Sequence, residues 1–387
     1  MRITLAGPVP IQDASKLLSE VDEGCFGKFA NDRGVSVLTT AKALLGRGHA
    51  VTLITTDKNT EQIEVFENGA FRLIIVPRRK RMKAQVADLY KQERSLLTKV
   101  IEGEASQVVN AQWTYEYALA SLDSFRPTVI TVHDAPLSIF LNFRDVLRFL
   151  HLLIAIRVRL SCPNLIFVSP FIAKKWCHEM LWRGRIDIVP NIGISNKAHK
   201  SDDTKSKNCI SVTESGRLKN TSALIKSWPS VLINCPDAVL LLVGHGMEEG
   251  GKLQKLTSRR GLDHGIRWLG FVDHERVLEK IAGSSLLIST SRQESFGLTL
   301  LEAMSLGVPV VAGIDSGAPS WVLGESGFLV NVNKPEEISS AIIEILTGEN
   351  LRTKLAIAGL ARAVSEFSEG VVCEKLEKIY NDHALIQ

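Results

Sequence analysis

The stretch Glu294-Ser-Phe-Gly-Leu-Thr-Leu-Leu-Glu302, continued by Ala303-Met-Ser-Leu-Gly-Val-Pro-Val-Val-Ala312, decides how the chain reads. Gly297 stands where a helix begins, the run to Leu306 consists of good helix formers, and Gly307 and Pro309 end it. Val308 to Ala312 then has the composition of a buried strand. Glu294 falls in a strand-to-helix loop, and Glu302 projects from the second turn of the helix. The helix N-terminus leaves backbone N–H groups from Phe296 through Gly297 to Leu298 for an anion, with Ser295 a further binding candidate beside them. Two carboxylates flank this cradle, each an acceptor for neighbouring hydroxyls. Phosphate beside hydroxyls is the chemistry of a sugar nucleotide. Any two glutamates at this spacing could instead be solvated. Here Leu286 to Ser289 reads as an apolar strand that delivers Glu294 at its carboxyl end, where open α/β sheets bind ligands.

Working outward, 387 residues suffice for two α/β domains with separate cores. An apolar content of 45% and a formal charge of +4 are those of an ordinary, mildly basic globular chain. The six cysteines are scattered, which argues against a zinc site or a disulfide scaffold. The chain enters a strand at Ile3-Thr-Leu-Ala6 with no signal-peptide pattern before it, so a reducing cytoplasm is the expected location. Strands are expected at Arg2–Ala6, Val51–Thr55, Arg72–Val76, Val108–Ala111, Thr128–His133, Leu165–Ser169 and Ile186–Val189. A second set is expected at Cys209–Thr213, Val239–Val243, Ile266–Leu269, Leu286–Ser289, Val308–Ala312 and Phe328–Val330. Their alternation with helical stretches implies two mostly parallel sheets with right-handed crossovers. The polar run 197–208 reads as the linker between residues 1–196 and residues 209–367.

Val76-Pro-Arg-Arg-Lys-Arg-Met-Lys83 is the densest basic run. It reads first as a solvated loop and second as a contact with anionic lipid on the cytoplasmic face of a membrane. Nucleic acid is not expected, because no binding motif accompanies it. Ser138 to Leu160 is the most hydrophobic helical region, too often interrupted by charge to span a bilayer. It reads as a core helix packed on the sheet in preference to an interfacial membrane helix. His133 ends a strand and opens toward the ligand side of the sheet. Arg217 and Lys219, in the loop after Cys209–Thr213, have the charge to neutralise a diphosphate.

The Glu294–Ala312 stretch closely resembles the paired-glutamate signature of retaining glycosyltransferases of family 4, Phe296-Gly297 and the small-residue strand included. The resemblance implies the GT-B fold: two Rossmann-like, doubly wound parallel-sheet domains facing a cleft, with a C-terminal helix, here 368–387, crossing back to the first. It also implies roles. Glu294 and His133 approach the donor sugar, Glu302 holds the ribose, and Arg217 and Lys219 neutralise the diphosphate. The loop Trp268-Leu-Gly-Phe-Val-Asp273 resembles the one that holds the base, through Phe271 and Val272. Gly34, before the helix Val35–Leu45, stands where the family's Gly-Gly approaches the phosphates.

The implied donor is a UDP-sugar first and a GDP-sugar second, and the implied acceptor is a saccharide or a lipid-linked saccharide. No Asp-x-Asp occurs, so neither metal nor other cofactor is expected. P-loop and dinucleotide-binding motifs are also missing. Two other classes stay open: a sugar-nucleotide hydrolase or epimerase on the same fold, and a non-catalytic sugar-nucleotide-binding subunit.

Overall fold

The structure is a computed structural model that describes residues 1–18, 26–29, 34–162, 164–194 and 207–384. The chain divides into two compact units, Met1–Ile192 with Glu369–Gln387, and Gly193–Ser368. The linker expected at 197–208 lies mostly outside the described residues. Its last residue, Asn208, is already the first of a strand.

The first unit is built on strands β1 (Arg2–Ala6), β2 (Ala50–Asp57), β3 (Glu64–Asn68), β4 (Phe71–Pro77), β5 (Val108–Gln112), β6 (Thr128–Val132), β7 (Leu165–Phe167) and β8 (Asp187–Ile188). They form one sheet in the order β3-β4-β2-β1-β5-β6-β7-β8. All neighbours are parallel except β3, which pairs antiparallel with β4 at the edge. The hydrophobic pattern does not announce β3. It reads Glu-Val-Phe-Glu-Asn and is mostly exposed, as an edge strand can afford to be. The order reverses between β1 and β5, and such a reversal opens a crevice at the carboxyl ends of the strands. The helix Glu369–Ala384 belongs to this unit. Its Val372, Cys373, Leu376, Ile379 and Tyr380 join the core around β1 and β2.

The second unit has strands β9 (Asn208–Val212), β10 (Val239–Val243), β11 (Ile266–Gly270), β12 (Leu286–Ile288), β13 (Val310–Gly313) and β14 (Phe328–Val330). These lie parallel in the order β11-β10-β9-β12-β13-β14, reversing between β9 and β12. Trp228, Leu240, Leu286, Ile338 and Ile342 anchor its core.

Two expectations need correction. Ser138 to Leu160 is not one core helix but two helices, Pro136–Phe143 and Val146–Ser161, broken at Arg144, whose φ is +50°. Much of its apolar surface faces solvent. The basic run is not a freely solvated loop either. Arg79 is clamped between Asp88 and Glu93, and Arg78 lines a cavity. Among the described residues no helix is long and apolar enough to cross a membrane.

Candidate active site

In the second unit the helix beginning at Leu298 follows β12, with Gly297 at its N-cap in the left-handed region, φ +94°. A side chain there would be strained, and its Cβ would meet Leu300 Cδ1 at 2.8 Å. Phe296 is buried edge-on against Trp321 and Phe367, which fixes the entry to the helix. Ser295 and Leu298 are half-buried beside it. The backbone at Glu294 is held on both sides. Its N–H donates to Ser316 O at 2.7 Å, and its carbonyl accepts from Ala318 N–H at 3.1 Å.

The Glu294 side chain reaches Lys219, whose Nζ donates to Oε1 at 2.7 Å. Burial works against the ammonium, but the charge of Glu294 and this hydrogen bond outweigh it and hold Lys219 above its usual range. The loop carrying Lys219 is stitched to the loop carrying Glu294. Arg292 N–H donates to Leu218 O, its guanidinium to Arg217 O, and Thr290 Oγ1 to Lys219 O. Arg217 is exposed, and its side chain makes no ion pair with any described residue. Glu302 is buried, and Oε1 accepts from His274 Nε2 at 2.7 Å. Neither carboxylate is therefore the open acceptor that the sequence suggests. His274 was not singled out from sequence; its only signal is its place one residue after Asp273.

Gly244-His-Gly246 bends against the Thr213–Ser215 segment, with His245 O accepting from Ser215 N–H at 3.0 Å. The His245 ring stacks on Phe271, centroids 4.5 Å apart. Phe271 remains half exposed, so the pair offers an outward π surface, and Val272 is half-buried next to it.

The first unit has a cavity of about 410 Å³ at the carboxyl end of its sheet. Gly34 lines it at φ +81°, so close to the chain that an added Cβ would fall 1.8 Å from Pro8 O. Residues 31–33 lie outside the described residues. The other walls were not read from sequence: Arg78, Tyr90, Trp113, Tyr115, Asp134 and His151. Tyr115 Oη donates to Asp134 Oδ2 at 2.9 Å, while Asp134 Oδ1 is buried with no hydrogen-bond partner among the described residues. Burial pushes the Asp134 carboxyl up to about 6, and the bond from Tyr115 only partly offsets this. Arg78 Nε is likewise buried with no hydrogen-bond partner among the described residues. Tyr90 and His151 share a hydrogen bond of 2.8 Å. Trp113 has φ +64°, uncommon for a bulky residue, and stacks on His133 at 4.2 Å. Burial lowers the His133 imidazole to about 3, so it is neutral near pH 7; its Nε2–H donates to Gln112 Oε1 at 2.7 Å. A signal for this wall existed in Trp113-Thr-Tyr115, aromatic residues just past a strand end.

The structure thus brings Lys219 and Glu294 together, with Arg217 on the same loop, and sets Glu302 against His274. His133 and Gly34 belong to the other unit.

Two family models match the chain, one described as "Glycosyltransferase Family 4" over residues 34–192 and one as "Glycosyl transferases group 1" over residues 195–362. Together they span most of it, and the chain belongs to glycosyltransferase family 4. Among curated relatives it is 30% identical over 168 residues to the GDP-mannose-dependent monoacylated alpha-(1-6)-phosphatidylinositol monomannoside mannosyltransferase of Corynebacterium glutamicum. The match covers 42% of this chain and 43% of that protein, so the chain spans under half the length of this relative. Among solved structures it is similar to sucrose-phosphate synthase from Thermosynechococcus elongatus, with TM-score 0.78, 18% identity, and 99% and 98% of the two chains covered. Anabaena HepE, solved with UDP and glucose, gives 0.70, 17%, 98% and 99%. These two likenesses bear on the fold alone, and that fold is GT-B.

Proposed function

We propose that the chain transfers a sugar from a nucleoside-diphosphate sugar to a hydroxyl of a saccharide or lipid-linked acceptor, with retention of configuration. The observation that carries this reading is the stitched pair of loops in the second unit. It sets a paired Lys219–Glu294, an Arg217 with no ion pair among the described residues, and a helix N-terminus side by side. The diphosphate lies along Arg217, Lys219 and the N–H groups from Phe296 to Leu298. Glu302 meets the ribose through Oε2, its other oxygen being engaged by His274. The base rests by Phe271 and Val272. As the anomeric bond breaks, negative charge grows on the leaving phosphate, and cations already aimed there lower the barrier without reorganising. The same phosphate accepts the acceptor's proton, so attack comes on the face just vacated. Glu294 orients sugar hydroxyls and keeps Lys219 charged; it is not a covalent nucleophile. His133, neutral, is assigned to a sugar hydroxyl. No metal step is invoked.

The first unit's cavity suits the acceptor. Aromatic walls stack on a sugar ring, and Asp134 Oδ1 awaits a hydroxyl. The named relative acts on a GDP-sugar and HepE binds UDP, so both bases enter the test with UDP first. The experiment is a thermal-shift panel of UDP-, GDP- and ADP-sugars, followed by turnover with the best binder in EDTA. Stabilisation by one sugar nucleotide and EDTA-resistant transfer is the expected result. Rapid release of free sugar or an epimer without acceptor would favour the hydrolase or epimerase reading. Tight binding without turnover would favour the binding subunit. Mass spectra showing sugar attached at Glu294, or an inverted first anomer by NMR, would overturn the mechanism.

A further inference from the structure

The helix Val146–Ser161 has two unlike faces. Leu152, Ile154, Ala155 and Val158 are buried, and His151 lines the cavity. On the opposite side Val146, Phe149, Leu153, Ile156 and Leu160 recur at 3-4-3-4 spacing and are between 39% and 74% exposed. Leu141 and Phe143, on the helix just before it, extend the surface and are half exposed. Among the described residues, seven of the nineteen exposed large apolar side chains fall within these twenty positions. That is a continuous patch rather than the usual scatter, and such patches mark a docking surface.

Charge selects the occupant. Residues 141–160 hold four arginines, 144, 148, 157 and 159, against the single acid Asp145, which pairs with Arg148. Arg144 and Arg157 are exposed at the border of the stripe. Lys80 and Arg81 are also exposed, just before the helix Met82–Ala87, which contacts Val146–Ser161. Met82, the first residue of that helix, is itself half exposed. A second copy pairing through the same stripe would bring arginine toward arginine, because the two acids near it are already engaged, Asp145 by Arg148 and Asp123 by Arg94 and, at 3.9 Å, by Arg157. An anionic surface answers both the apolar and the basic character.

We propose that this face seats on a bilayer bearing anionic lipid, with the apolar stripe in the headgroup–acyl boundary and the arginines on lipid phosphates. The contact is thereby assigned to residues 141–160, with Lys80 and Arg81 beside them, and not to the basic run as a whole. It does not depend on the transfer reaction. The test is co-sedimentation of the full chain with phosphatidylcholine vesicles, with and without phosphatidylglycerol. Binding only to the anionic vesicles, reversed by salt, is expected. A variant with Val146→Ser, Leu153→Ser and Leu160→Ser should bind at least about tenfold more weakly with an unchanged melting temperature. If that variant does not fold, Arg144→Gln with Arg157→Gln carries the test, with a several-fold loss expected. Failure of the parent chain to bind anionic vesicles, or undiminished binding by a folded variant, would overturn the proposal. So would a solution dimer that the serine variant makes monomeric, since it would identify a second copy as the occupant.

Discussion

Glu294 and Lys219 share one 2.7 Å contact, so a change at either alters the charge that the other presents. Glu294→Gln removes the carboxylate that holds Lys219 charged against burial, but a bound diphosphate supplies a replacement anion for it. Transfer should fall by about 10²–10³-fold, as when a positioned polar group is lost from a site. Diphosphate affinity should stay level or rise; calorimetry beside steady-state rates reads both, and a parallel loss of affinity would contradict the assignment. Glu302→Ala removes the carboxylate proposed to hold the ribose and strands His274, and should cost about 1.5–3 kcal/mol of nucleotide binding. Unchanged calorimetric affinity would take Glu302 out of the site. Asp134 carries a pH signature. With its carboxyl pushed up to about 6, the acceptor-binding ionised form is populated only above that pH. The kcat/KM for acceptor should climb through pH 6 and flatten in Asp134→Asn. The stability effect has the opposite sign. A carboxyl raised in the folded state favours folding at low pH and loses that contribution as pH rises from about 4 through 6. Asp134→Asn should therefore melt higher than the parent chain above pH 6. Glu294, Arg217 and Lys219 stand out in the sequence because each lies in a loop after a strand, and Glu302 because it falls on the helix that follows. Their partners do not. His274 and Tyr115 meet their carboxylates from 28 and 19 residues away, and one-dimensional spacing carries no trace of that.

At the scale of elements, fully buried strands announce themselves, and twelve parallel strands plus the antiparallel-edged β4 fall where apolar runs put them. β3 escaped because its exposed positions include polar Glu67 and Asn68, although Gly69, at φ +56° in the two-residue turn Gly69-Ala70, marks a hairpin. The helix pair at 136–161 misled because its buried and exposed faces are both apolar, so periodicity could not say which side meets the sheet. The helix Glu369–Ala384 is tied to its unit by a polar clasp. Arg47 donates to both oxygens of Glu377, and His49 shares one of them. Hydrogen bonding from Arg47 outweighs burial and, with His49, lowers the Glu377 carboxyl to about 2. A carboxyl lowered in the folded state stabilises above its unfolded value, near 4.5, and that contribution disappears as pH falls toward 2. Glu377→Gln should cost about 1 kcal/mol at neutral pH, the upper range for a partly exposed pair. The melting-temperature difference should shrink steadily below pH 4.5; a difference that persists at pH 2 would assign the loss to packing.

For the whole molecule, two parallel-sheet units follow from strand–helix alternation and the return of the C-terminal helix after Ser368 from the family resemblance, while the break at Ile192 does not, because the polar run suggests a later one. The discontinuity of the first unit also has a bearing on biosynthesis. A ribosome releases the eight strands of that unit long before residues 369–384, and the second unit emerges in between as one uninterrupted piece. Until Tyr380 and its neighbours arrive, the trough they fill beside β1 and β2 stands open. The nascent chain must carry that unfilled groove through the synthesis of some 176 intervening residues, Gly193 to Ser368. The unit begun first is thus the one finished last, and its N-terminal half is the part with most need of a chaperone's cover during translation.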